Sequence, residues 1–169
     1  MRTLIVVDMQ NDFIYGSLGS KEARGIVPDV KKKIEEYIAR GDEIVFTRDT
    51  HDHNYLNTDE GKRLPIEHCV AGTYGWLIEE SLNHPECKHI NKRNFGYTLW
   101  DYEFDHLEDV EIVGLCTDIC VVSNALILKA HFPNANITVD ASCCAGVTPE
   151  SHKAALITMK MCHINVVGE

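Results

Sequence analysis

Apolar and polar positions along this chain fall into two alternating patterns. Short β-branched runs occur at Leu4–Val7, Glu43–Thr47, Lys88–Ile90, Val110–Val113, Asn136–Val139 and Ile164–Val167, and they read as strands. Most gaps between them carry helical periodicity. It runs over Val27–Arg40, with Pro28 in the first turn and Gly41 as a stop, over Asp118–His131, and over Pro149–Cys162, with breakers where helix termini want them. Strands separated by helices need crossover connections. The predicted fold is therefore α/β: three layers, α/β/α, around a doubly wound, mostly parallel six-stranded sheet of Rossmann-like type. One domain over residues 1–169 is expected, since the five prolines are scattered and no low-complexity tract or repeat marks a boundary.

Doubly wound sheets collect ligands beyond the carboxyl ends of their strands, where the strand order reverses. Asp8 follows the first predicted strand, Arg48-Asp49-Thr50-His51 the second, Asn91-Lys92-Arg93 the third, and Cys116-Thr117-Asp118-Ile119-Cys120 the fourth. One rim thus receives an acid, a metal-type cluster, a base and a thiol. The segment from Asp49 to Trp76 has little periodicity, and a loop of that length in a compact domain usually carries function.

Charge and cysteine usage narrow the classes. A net charge of −10 with no basic stripe argues against nucleic acid and for small-molecule chemistry. The run Leu4–Val7 stops at Asp8, so neither a secretory leader nor a membrane span is read, and a cytoplasmic protein without a membrane partner is expected. Seven cysteines, an odd number with no Cys-x-x-Cys pair, point to reduced thiols.

Cys120 falls in the first turn of a predicted helix. Free N–H groups and the macrodipole there should draw its thiol pKa down towards neutrality and make it a nucleophile; the bland alternative is a small apolar residue at a strand-helix junction. Asp8 could take the thiol proton and Lys92 could favour both anions. Singly, each reads equally well as a turn-capping acid or a solvated lysine, and their arrival from different strand ends is what favours a joint role. A second constellation is Asp49-x-His51 with Glu60 and His68, and His53 and Glu67 as rivals. Imidazole and carboxylate without thiolate suit zinc, iron or manganese with open positions.

The runs Val6-Val7-Asp8-Met9-Gln10-Asn11-Asp12-Phe13, Thr47–His51, His68–Thr73, Lys92–Phe95, Gly114–Val121 and Val139-Asp140-Ala141 resemble the isochorismatase-like cysteine hydrolases, and among them the nicotinamidases (pyrazinamidases). The resemblance covers nearly the whole chain in the family order. It implies that Asp8, Lys92 and Cys120 form a catalytic triad, and that a cis peptide at Leu115–Cys116 lets the Cys116 and Cys120 N–H groups form an oxyanion hole. It implies one divalent metal on Asp49, His51, Glu60 and His68, with zinc expected, iron and manganese also compatible, and Glu60 preferred to His53. Phe13 and Tyr97 would stack on a ring. Where many nicotinamidases place an aromatic residue just before the last histidine ligand, this chain has Leu64-Pro65-Ile66-Glu67. The implied reaction converts nicotinamide to nicotinate and ammonia through a cysteine thioester, a step of NAD salvage. The partner is a small-molecule amide, and a homo-oligomer is allowed. Two alternatives stand beside it: another amide, ureido or carbamoyl hydrolase of the superfamily, and a metal-binding thiol redox sensor.

Overall fold

The computed structural model describes residues 1–169. Six strands form one sheet: β1 (Thr3–Val7), β2 (Glu43–Asp49), β3 (Lys88–Lys92), β4 (Asp109–Leu115), β5 (Asn136–Ala145) and β6 (Asn165–Val167). Helices α1 (Asn11–Ile14), α2 (Lys21–Gly25) and α3 (Val27–Arg40) lie between β1 and β2, and α4 (Asp59–Arg63) between β2 and β3. Helices α5 (Trp100–Glu103), α6 (Val122–His131) and α7 (Pro149–Met161) follow β3, β4 and β5. The strand order is β3-β2-β1-β4-β5-β6, with every pairing parallel. The chain winds outwards from β1 through β3, then restarts at β4 on the other side. The switch point therefore lies between β1 and β4.

Alternation along the strands splits the core into two layers. Ile5, Val7, Val45, Ile112 and Val139 pack on the face covered by Trp100 of α5, Ala125 and Leu128 of α6 and Leu156 and Met159 of α7. Leu4, Val6, Phe46 and Val113 pack on the other, against Ile14, Ala23 and the α3 stripe Val27, Val30, Ile34 and Tyr37. That stripe has the helical spacing of a face turned to a sheet. All five residues of β1 are buried, which is why after Thr3 its sequence is an unbroken apolar run. Gly114 takes φ +119°, and a Cβ there would stand 2.1 Å from the Val7 carbonyl oxygen, so only glycine allows β1 and β4 this approach at the switch point.

The structure extends several predicted elements. β3 continues to Lys92 and β5 to Ala145, through Asp140 and Ser142, whose polarity hides the strand. The helix expected from Asp118 opens instead with a π turn, Thr117–Val121, before α6 begins at Val122. The aperiodic loop contains α4 and two short 3₁₀ turns, Tyr55–Asn57 and Tyr74–Trp76.

Candidate active site

Asp8 ends β1 in a left-handed backbone conformation, φ 49°, which aspartate tolerates better than most residues. Its carboxylate is fully buried. Oδ1 accepts the Thr47 hydroxyl at 2.7 Å, and Oδ2, which has no hydrogen-bond partner, pairs with the Lys92 ammonium by charge at 2.6 Å. Lys92, at the end of β3, is 2 % exposed. Its Nζ also donates to the Asn94 carbonyl at 3.2 Å and to Cys120 Sγ at 3.5 Å. Two of its donors thus reach acceptors, and the Asp8 carboxylate beside it supplies the counter-charge. Three residues from three strand ends thus meet in one chain of contacts.

Electrostatics here correct one expectation. Burial, and after it the Asp8 charge, push the Cys120 thiol well above its ordinary range, against the pull of Lys92. Burial likewise raises Asp8, while Lys92 lowers it. Desolvation alone would lower Lys92, but Asp8, Cys120 and Asp49 outweigh it and hold it charged far above its ordinary value. One ammonium offsets one negative charge, and burial disfavours a second on the Asp8–Cys120 pair. A helix terminus lowers a thiol pKa, but here full burial beside Asp8 outweighs it.

The Leu115–Cys116 bond is cis, and the Cys116 amide donates to no backbone or side-chain group. Its thiol, pushed up to about 12 by burial and the Asp118 charge, is poorly disposed to act itself. The buried Asn124 fixes the Cys120 segment: its Nδ2 donates to the Cys120 and Phe95 carbonyls at 2.8 and 3.2 Å, and its Oδ1 accepts from the Tyr97 amide and Trp100 Nε1.

The second constellation also converges. Ligand atoms of Asp49, His51, Glu60 and His68 all lie within 4.8 Å of one another. Asp49 Oδ2 is 2.9 Å from His51 Nε2 and 3.5 Å from His68 Nε2, and Glu60 Oε1 is 3.7 Å from both imidazoles. Ligands about 2.0–2.2 Å from a shared zinc stand on the order of 3–4 Å apart, so the set fits one small divalent ion. His68 Nδ1 bonds to the Ile66 carbonyl at 2.8 Å, which fixes the ring and leaves Nε2 free to ligate. Burial and the neighbouring Asp49 charge raise the Glu60 carboxyl, a repulsion that a divalent cation would relieve. His53 and Glu67 are exposed and outside the cluster.

Several supporting residues drew no role from sequence. Gln10, fully buried, donates to the Asp49 carbonyl at 2.9 Å and accepts the Asp49 amide at 2.7 Å. Asp12 accepts the Cys69 amide at 2.8 Å and anchors the strand of loop after His68. The Tyr55 ring packs edge-on against His51 and His68, with centroids 4.7 and 5.0 Å away. Gln10 and Asp12 lie in the same run as Asp8, and that proximity was the available signal.

A cavity of about 470 Å³ joins the two constellations, lined among others by Phe13, Asp49, Glu60, His68, Cys116 and Cys120. Tyr97, expected to stack on a ring, does not line it. Its hydroxyl donates to Glu103 at 2.7 Å and its ring packs on Trp100 at 5.1 Å, because Asn124 holds its amide on the far side of the loop; Phe95 lines the cavity instead.

Residues 2–168 match the sequence model of the isochorismatase domain. The chain belongs to that family. Among solved structures, the pyrazinamidase of Pyrococcus horikoshii in complex with zinc superposes with a TM-score of 0.84 at 30% identity over 99% of each chain. Among family relatives, the nicotinamidase/pyrazinamidase of Mycobacterium tuberculosis is 28% identical over 190 residues, covering 99% of this chain and 98% of its own. An Arabidopsis thaliana member named as a probable inactive nicotinamidase is 29% identical over 177 residues, covering 93% of this chain and 87% of its own. Isochorismatase-domain relatives at this distance thus carry active and inactive names alike, and side chains have to separate them.

Proposed function

We propose that this protein is an amide hydrolase of nicotinamidase type, converting nicotinamide to nicotinate and ammonia. One observation carries the reading: Asp8, Lys92 and Cys120 form an unbroken buried chain at one wall of a cavity whose other wall holds Asp49, His51, Glu60 and His68. A divalent ion held by those four residues, zinc in our reading, would supply a Lewis-acidic anchor for the ring nitrogen. Phe13 offers the ring an apolar face.

Cys120 Sγ attacks the carboxamide carbon as its proton passes to Asp8. Negative charge developing on the carbonyl oxygen is received by the Cys116 and Cys120 N–H groups. Asp8 returns the proton to the departing ammonia, leaving an acyl-cysteine. Asp8 then takes a proton from water, whose oxygen attacks the thioester, and the proton goes back to the thiolate as the carboxylic acid product departs. Lys92 holds the charge of the Asp8–Cys120 pair throughout. Because the resting thiol is pushed up, proton transfer to Asp8 accompanies attack rather than preceding it.

The rival readings meet specific obstacles. Ureido or carbamoyl acids bring a carboxylate, and the side-chain cation beside Cys120, Lys92, is already engaged by Asp8. A thiol redox sensor needs an accessible thiol of low pKa, whereas Cys116 and Cys120 are both pushed up. We further read the 169 residues as one catalytic domain of a cytoplasmic protein; the seven free cysteines accord with a reducing compartment, and no helix is long and apolar enough to cross a membrane. Ammonia release from nicotinamide, measured together with metal content and repeated on Cys120→Ala, tests the assignment. Turnover should vanish in the variant with metal content unchanged; retained turnover refutes the nucleophile, and activity on other amides without any on nicotinamide refutes the substrate.

A further inference from the structure

The cavity is larger than the proposed substrate needs. Pockets of roughly 300–1,000 Å³ hold drug-sized ligands, and at about 470 Å³ this one exceeds a single ring with one carboxamide. The surplus has a direction. Asp49 ends β2, the Cys116–Cys120 segment follows β4, and Gly146 and Val147 follow β5. With the order β2-β1-β4-β5 and strands about 4.8 Å apart, the lining extends about 14 Å from the metal-ligand end to Val147. About one strand spacing therefore lies beyond the nucleophile segment.

That end is apolar, lined by Leu18, Ala23, Leu115 and Val147. Ser20, also there, has its hydroxyl oxygen engaged by the Ala23 amide at 3.0 Å. The wall is also fixed in place. The Asp118 carboxylate accepts the Val147 amide at 3.1 and 3.2 Å and the Ser151 hydroxyl, and Ser151 closes the capping box of α7 with Thr148. A Cβ on Gly146 would stand 2.8 Å from His152, so the backbone behind Val147 rests directly on α7. Asp118 belongs to the π turn that carries Cys120. The far wall and the nucleophile are thus tied together, and the lobe is preformed.

We propose that this end is a lobe for the apolar part of carboxamides larger than a single ring, alkylated pyridine carboxamides or fused two-ring ones. The inference rests on the amidase reading above. A charged tail is disfavoured because it would find no counter-ion among Leu18, Ala23, Leu115 and Val147. Each methylene buried there should raise kcat/KM about four-fold, the equivalent of about 0.8 kcal/mol.

The test is ammonia release by the metal-loaded protein from nicotinamide, its ring-methylated and ring-propylated forms, and a quinoline carboxamide that keeps the ring nitrogen and carboxamide in the same relation. The expected result is a kcat/KM for the larger amides at or above that for nicotinamide. Val147→Phe should then lower the quinoline-to-nicotinamide ratio by about ten-fold or more, and Leu18→Phe gives the same readout if the first variant melts early. A fall of about ten-fold or more from nicotinamide to the quinoline amide in the unmodified protein, or a ratio untouched by both variants, overturns the lobe. Ammonia from no member of the series sinks the amidase reading and the lobe with it.

Discussion

Replacing Lys92 by methionine keeps the length of the side chain and removes its charge. In the native protein its ammonium stands 2.6 Å from Asp8 Oδ2, with side-chain exposures of 1% and 0%. Unit charges at that separation attract by about 6 kcal/mol at an effective dielectric of about 20. Desolvation already offsets part of this, and removing one partner of a buried pair costs about 3–5 kcal/mol. At about 2–4 °C per kcal/mol for a chain of this size, Tm should fall by about 6–20 °C. The loss should also depend on pH. Without the ammonium, Asp8 is left with burial as its main influence, and its pKa in the folded state should climb further above the unfolded value of about 3.9. An acid raised in the folded state stabilises below its unfolded pKa, and that stabilisation is lost as pH rises through the folded value. Lys92 itself is held charged above its ordinary value, so its contribution to the native protein is intact below about pH 10.4. The deficit of the variant should therefore shrink between about pH 8 and about pH 4, and most of it should be removed by the double change with Asp8→Asn. Ammonia release should drop by about 10²–10⁴-fold, because Asp8 without its counter-ion is held protonated and no longer accepts the Cys120 proton. Thermal unfolding across a pH series, with both proteins stripped of metal, and amide turnover of the metal-loaded proteins measure these effects. A deficit below about 1 kcal/mol at neutral pH, one that grows on acidification, or turnover at the native rate would rule out this role for Lys92.

Three further outcomes are expected. Gln10→Ala removes both bonds that fix the Asp49 backbone; metal affinity, read by competition with a chelating dye, should weaken by about 10–100-fold, and unaltered affinity would count against a supporting role. Removing the metal by chelation should lower Tm by about 5–11 °C if it was present at about 100 times its Kd, from about 2.7 kcal/mol of linkage; an identical melt for loaded and stripped protein would show no folded-state site. Far from the cavity, Lys33 Nζ lies 2.7 Å from Glu111 and 2.8 Å from Asp140. Burial would raise Asp140, but Lys33 and Ser142 outweigh it and hold the carboxyl below its ordinary range. Such an acid stabilises above its unfolded pKa of about 3.9, and the effect is lost as pH falls through the folded value. Urea unfolding should thus show the native protein losing stability below about pH 4, with Lys33→Met less stable at neutral pH and flatter in acid.

The strands were legible because a sheet covered on both faces demands unbroken apolar runs, and Leu4-Ile5-Val6-Val7 is one. Where a strand carries function or pairing charges, as at the ends of β3 and β5, the apolar signal stops before the hydrogen bonding does. The four- and five-residue helices α1, α2, α4 and α5 are too short for a period to register. The nucleophile, acid and base were legible as strand-end residues, but their contact was not. Tyr97 shows the converse, since a loop aromatic beside a motif has no direction until Asn124 holds its amide.

The residue types settled the repertoire: alternating strands and helices, one rim carrying an acid, a base, a thiol and a set of oxygen and nitrogen ligands. These follow from local periodicity and from the carboxyl ends of parallel strands sharing one edge. Tertiary structure decided the proton. Cys120 sits at the start of a helical segment, where local rules lower a thiol pKa, yet full burial beside Asp8 raises it. Desolvation depends on what surrounds a group from every side, and for Cys120 those surroundings come from β1, β3 and α6, elements brought together only when the sheet closes around its switch point.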